Sequence, residues 1–222
     1  MLTSRPMRRS ILAPLASSLI ALSLGSLCAS CTPQGDPTIG PAGFSDDFER
    51  EELGELWHNT GAPWRIIDGE LVIRNARNRP LWLRRALPRD ARVEFDVRSM
   101  SPEGDIKCEM YGDGTSRATT ESYTATSYVV IFGGWGNSIN VLARLDEHGA
   151  DRVEARGPRV EPGRTYHMRI ERRGQTITAW VDDQELVSMT DPDPLEGRGH
   201  DHFAFNDWEA EVHFDNLRIT PL

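Results

Sequence analysis

The stretch VEFDVRS, residues 93–99, alternates apolar and charged residues without a break. A period of two is the pattern of a strand with one buried face and one wet face. Val93, Phe95 and Val97 would fill a core, and Glu94, Asp96 and Arg98 would stand in solvent. The pattern recurs outward from this point. Residues 105–114, DIKCEMYGDG, alternate in the same way and end in a Gly-rich turn. The spacing makes that segment the neighbour of 93–99. Lys107 and Glu109 would then stand beside Glu94, Asp96 and Arg98 in an interleaved acid and base array.

Further along, SYVVIFGG (127–134) is a continuous apolar run, expected of a central strand covered on both faces. TYHMRIERRGQTITAWVDDQELVSM (165–189) reads as three strands about turns at Arg173-Gly174 and Asp182-Asp183. WRIIDGELVIR (64–74) is a hairpin about Asp68-Gly69, a strong turn signal. In EVHFDNLRIT (211–220), Val212 and Phe214 fall out of phase with Leu217 and Ile219, which predicts a bulge near Asp215-Asn216. Helical periodicity is scarce. Many short strands at close spacing predict an all-β antiparallel sandwich of jelly-roll type over residues 44–222. Each inward aliphatic or aromatic side chain contributes about 1.5–3 kcal/mol when fully buried. That is how a domain without disulfides can stand.

The chain has 222 residues and a net charge of -9. Its basic residues before Cys31 are Arg5, Arg8 and Arg9, in a segment without acids, so the remainder is more acidic still. Such a balance argues against nucleic acid and anionic lipid surfaces as partners. MLTSRPMRR is a basic leader and SILAPLASSLIALSLGSL an apolar segment short for a membrane span, so residues 1–30 are expected to be a cleaved signal peptide. The segment ends in LCASC, which is similar to the bacterial lipoprotein signal. That resemblance makes Cys31 the acylated residue and residues 31–43 a flexible tether from the membrane of a bacterial envelope to the domain. Ordinary secretion is the other reading. Once the leader is removed only Cys31 and Cys108 remain, and an acylated Cys31 cannot form a disulfide.

The segments FSDDFEREELGELW (44–57), WRIIDGELVI (64–73), GRTYHMRIERRGQTITAWVDDQEL (163–186) and VHFDNLRI (212–219) together resemble the concanavalin A-like sandwiches. That group includes laminin-G-like modules and family 16-type glycoside hydrolase domains. The nearest resemblance is to the bacterial 3-keto-disaccharide hydrolase domain. It implies a jelly roll that binds or processes carbohydrate. Family 16 catalytic strands read Glu-x-Asp-x-Glu. Glu94 and Asp96 match the first two positions, but Arg98 or Ser99 stands where the last Glu is expected. In the keto-disaccharide domains the penultimate strand carries a Gln followed by a His. HFAFNDW places Asn206 and Trp208 at those positions.

The residues themselves leave three readings open for Glu94, Asp96, Arg98, Lys107 and Glu109. They could form the polar floor of a sugar groove, a solvated ion-pair ladder, or a catalytic set drawn from Glu94, Asp96 and Glu109. Alternate carboxylates on a strand are about 6.6–6.8 Å apart. That meets the spacing of an inverting glycosidase, about 6.5–9.5 Å. Arg98, however, would keep Asp96 ionised, which is wrong for a general acid. Trp135, in the Gly-rich GGWGN, and Trp208, in NDWEA, are loop aromatics of the kind that stack on sugar rings. With Asn140, Arg144 and Asn206 they complete the expected carbohydrate-binding set. Asp47 and Asp215 lie on first and last strands, where related sandwiches often hold a structural calcium. His200 and His202 lack a third ligand at motif spacing. The expected function is carbohydrate binding. A glycoside-processing enzyme and a protein-adhesion module are the alternatives.

Overall fold

The computed structural model describes residues 35–120 and 123–222. Cys31 and the leader lie outside the described residues. Two antiparallel sheets face each other. The first contains β1 (Phe44–Asp46), β3 (Arg65–Ile67), β4 (Glu70–Arg74), β6 (Ala91–Ser99), β11 (Tyr166–Arg173), β12 (Thr176–Val181), β13 (Gln184–Thr190) and β15 (Glu211–Pro221). Its order is β13-β12-β11-β6-β15-β4-β3, with β1 also paired to β15. The second contains β2 (Trp57–Asn59), β5 (Leu81–Leu83), β7 (Ile106–Gly112), β8 (Tyr128–Gly133), β9 (Ile139–Arg144), β10 (Val153–Ala155) and β14 (His202–Asn206). Its order is β10-β9-β8-β7-β14-β5-β2. The one helical element among the described residues is a single turn, α1 (Gly134–Asn137), between β8 and β9.

Alternation places the core where period two requires it. Val93, Phe95 and Val97 of β6 are buried, as are Ile106, Cys108 and Met110 of β7. Phe95, Phe203, Phe205 and Phe214 stack at its centre, with Phe205 and Phe214 ring centroids 4.3 Å apart. Edge-to-face and offset pairs of this kind add to what area burial alone supplies. β15 shifts register between Asp215 and Arg218 against β6. The extra residue of that bulge brings Leu217 and Ile219 onto the inner face with Val212 and Phe214, and all four are buried.

One sequence expectation is corrected here. β6 and β7 are not neighbours: β6 is hydrogen-bonded to β11 and β15, and β7 to β8 and β14. Their apolar faces meet across the sandwich, so their polar faces point to opposite sides of the molecule. Alternation shows which residues are inside, but a hairpin and a crossover between sheets bury the same set.

The outer face of the second sheet is covered as well. The segment after β7 folds over it, and Ala118, Tyr123 and Ala125 bury Val129 and Ile131 of β8 with Val141 and Ala143 of β9. β8 is therefore apolar on both faces, as its continuous run predicts. The stretch 37–43 does not stand free of the domain. Ile39 is buried in the core and its N–H bonds the carbonyl of Ala86 at 2.8 Å.

Candidate functional site

On that covered face a cleft of about 780 Å³ opens at the end of the sheet where β7 begins. β8 and β14 flank β7 on either side. Trp135 follows β8 and Trp208 follows β14, so the two indoles bracket the first residues of β7. Both line the cleft. Trp135 is 40% exposed and has φ 50°, a backbone region costly for a bulky residue. A clamp holds it there: Asn140 Oδ1 accepts from Gly133 N–H at 2.9 Å, and Asn140 Nδ2 donates to the carbonyls of Gly157 and Pro158. Gly133 has φ 76°, and a Cβ there would lie 2.6 Å from Val160. Arg152 stacks over Trp135 at 4.5 Å, and Arg77 over Trp208 at 5.2 Å.

The floor is a buried polar network. Lys107 Nζ lies 2.8 Å from Glu147 Oε2 and donates to Asn78 Oδ1 at 2.9 Å. Asn206 Nδ2 donates to Glu109 Oε1 at 2.7 Å, and Ser127 Oγ to Glu109 Oε2 at 2.5 Å. Tyr123 OH lies 3.2 Å from both Glu109 oxygens. Desolvation would lower the Lys107 ammonium, but the Asp105 and Glu147 charges outweigh it and hold the group above the ordinary lysine range. Desolvation pushes Glu109 up to about 7, against the bonds from Ser127 and Asn206 and the charge of Lys107. Burial and then the neighbouring Asp105 charge push Asp207 up to about 8. Asp105 is also raised, first by desolvation. Asn75, Arg77 and Asn78 all have positive φ, so the backbone presenting Asn78 is strained too. It is held by Ala76 N–H on Asp207 Oδ2 at 3.1 Å and by Arg77 N–H on the Trp208 carbonyl at 2.9 Å.

Of the residues expected to bind, the cleft gathers Lys107, Trp135 and Trp208. Glu109 and Asn206 sit beneath it, each fully buried, and brace the floor. Asn140 shapes the Trp135 turn from behind. Arg144 is engaged by Asp191 at 2.8 Å and does not line the cleft.

Glu94, Asp96 and Arg98 lie on the outer face of the other sheet. There His167 Nδ1 lies 2.9 Å from Asp96, Asn216 Nδ2 donates to Asp96 at 2.9 Å, and Arg98 pairs with Glu70. This is a cross-strand polar ladder. No catalytic pair of Glu94 or Asp96 with Glu109 is possible, because the sandwich lies between them. The donor set for calcium is not assembled either. Asp47 and Asp215 accept bonds from nearby Glu49 and Asn216. Beside them Arg50 occupies both oxygens of Asp46, at 2.5 and 2.9 Å. Among the described residues no group of three or more His, Cys, Asp or Glu side chains is placed to hold a metal ion.

The sequence reading missed Asn78, Asp105, Tyr123 and Glu147. They come from four separate loops. The one signal that could have pointed to them is Lys107, the only lysine, on a strand flanked by carboxylates.

Residues 43–220 match the family model of the 3-keto-alpha-glucoside-1,2-lyase-like domain. The chain belongs to this family. A stretch of 154 residues of the chain is 25% identical to an extracellular exo-alpha-L-arabinofuranosidase of Streptomyces chartreusis, covering 69% of this chain and 18% of that enzyme. The chain thus spans under a fifth of that relative. It superposes on the carbohydrate binding module CBM66 of Bacillus subtilis with a TM-score of 0.58 at 16% identity, over 74% of this chain and 95% of the module. The Bacillus licheniformis beta-glucanase gives 0.59 at 11%, over 81% and 98%. At these identities the structural likeness establishes the jelly-roll fold.

Proposed function

We propose that the domain binds a saccharide in the cleft on the outer face of its second sheet. The observation that carries this reading is the pair of tryptophans bracketing a buried lysine. Indole faces suit the C–H faces of a sugar ring. The Lys107, Asn78 and Glu147 heads below supply donors and acceptors at fixed positions, so a hydroxylated ligand would find its bonds preformed. Family membership and the carbohydrate-directed relatives support the same class of ligand. Glycan-array binding of the intact domain tests the proposal. Trp135→Ala and Trp208→Ala are each expected to weaken binding about tenfold, within the 1–3 kcal/mol range of a lost aromatic platform. Failure of the unaltered domain to bind any glycan would sink it.

A second reading is lyase chemistry on a 3-keto-α-glucoside. It is favoured by the family and by Asp105, a carboxyl with raised affinity for protons beside the Lys107 ammonium. Elimination needs a base for the proton next to the ketone and a cation near the ketone oxygen. Incubation with a 3-keto-α-glucoside separates the two: release of the aglycone would establish the enzyme, and stable binding without release would leave a lectin-like module.

We also propose that Cys31 carries the lipid that holds the domain in a bacterial envelope. Mass spectrometry of the membrane fraction is expected to find acylated Cys31 as the first residue; a mature N-terminus elsewhere would exclude it.

A further inference from the structure

The charges around the cleft are unevenly matched. Lys107 is 2% exposed yet lines the cleft. Its ammonium has three N–H groups. One goes to Asn78 and one faces Glu147; the third has no acceptor within hydrogen-bond distance among the described residues. The two arginines at the rim are matched. Arg77 pairs with Glu209 at 2.6 Å, and Arg152 with Glu154 at 2.5 Å. Glu103, Asp105 and Asp146 also line the cleft; Asp105 faces the Lys107 charge, and Glu103 and Asp146 have no basic partner among the described residues.

A buried lysine at the floor of a cleft would ordinarily suit an anion. Here its charge is met at contact distance by Glu147 and faced by Asp105, and an entering anion would meet the unmatched carboxylates of Glu103 and Asp146. Like charges brought together in a partly desolvated cleft repel more strongly than in water. We infer that Lys107 is the specificity-determining donor of the cleft, giving its third N–H to a hydroxyl or carbonyl oxygen of an uncharged saccharide, while the surplus carboxylates turn away uronic and sulfated sugars. This rests on the saccharide reading and adds the charge class of the ligand to it.

The test is calorimetric titration of the full chain at low ionic strength with three probes: neutral oligosaccharides, oligogalacturonate and a sulfated heparin fragment. The neutral probes are expected to bind and the two anionic ones at least tenfold more weakly, with the gap closing as salt screens the cleft. Glu147→Gln uncovers the lysine charge and is expected to move the anion-to-neutral ratio about tenfold toward the anions. The double variant Lys107→Met with Glu147→Gln removes both members of the closest ion pair, and Asp105 and Glu109, which also face the lysine, can bind protons in its absence. It should retain the melting temperature to within a few degrees and lose about tenfold in neutral binding. Anionic probes binding the unaltered chain as tightly as neutral ones would overturn the inference and leave the saccharide reading standing. So would undiminished neutral binding by the double variant. Absence of binding to every probe would overturn both.

Discussion

At the scale of the residue, the polar groups below the cleft tie stability to pH. Glu109 and Asp207 are held well above their ordinary values of 4.5 and 3.8, at about 7 and about 8. A carboxyl raised in the folded state binds more protons there than in the unfolded chain. Stability is then fullest below the unfolded values and falls as pH rises through the folded ones. The melting temperature is expected to decline between about pH 4 and pH 8. Asp207→Asn should flatten the upper part of that slope, and scanning calorimetry across the range would check both. Asp46 works in the opposite sense. Burial alone would raise it, but Arg50, Trp57 Nε1 at 2.8 Å and Phe48 N–H at 3.0 Å outweigh that and hold it low. Its stabilisation is present above the unfolded value and lost as pH falls through the folded one. Asp46→Ala strands the Trp57 and Phe48 donors. It is expected to cost about 1–3 kcal/mol in urea denaturation.

At the scale of the element, β15 shows how a strand absorbs an irregular pattern. Val212 and Phe214 are two apart, but Phe214 and Leu217 are three apart, so a regular strand would expose either one pair or the other. The bulge between Asp215 and Arg218 takes up the odd residue. Asn216, with φ 51°, adopts a backbone region that asparagine tolerates better than most residues. Deleting Asn216 should close the bulge yet keep Leu217 and Ile219 inside, with a modest loss. Inserting one glycine after Leu217, beyond the bulge, should leave Leu217 inside and turn Ile219 outward, at about 1.5–3 kcal/mol. Denaturation midpoints of the two variants would decide it, and a deletion as damaging as the insertion would refute the phase argument.

At the scale of the whole molecule, the domain stands on one main apolar core between the sheets and a smaller cluster outside β8 and β9, with no disulfide among the described residues. Cys108 is buried as a free thiol, and desolvation drives its pKa upward, away from the reactive thiolate. A thiol reagent is expected to leave Cys108 untouched in the native protein and to label it only with unfolding. Labelling at native rates would show that the core opens locally. Much of this architecture is legible in the residues. Period-two alternation at 93–99, 106–110 and 166–181 depends only on which side chains avoid water, and it named the buried face of each strand. The Asp68-Gly69 turn and the phase break at 215–216 are equally local. So is Trp135 as an exposed aromatic, because it sits among residues too small to cover it; Trp208 is half-buried, with Arg77 over its ring. What alternation cannot carry is which strand lies beside which. Placing β6 and β7 in different sheets sends Glu94 and Asp96 to one side of the molecule and Lys107 to the other. It also lets residues 29 to 128 positions from Asn78 supply its partners Lys107, Glu147 and Asn206. The sequence by itself determined which apolar side chains are buried, because hydrophobic burial is set by each residue's own surface. Only the tertiary structure decided where the polar groups converge, because hydrogen bonds and ion pairs need partners that chain topology, and not proximity in sequence, brings together.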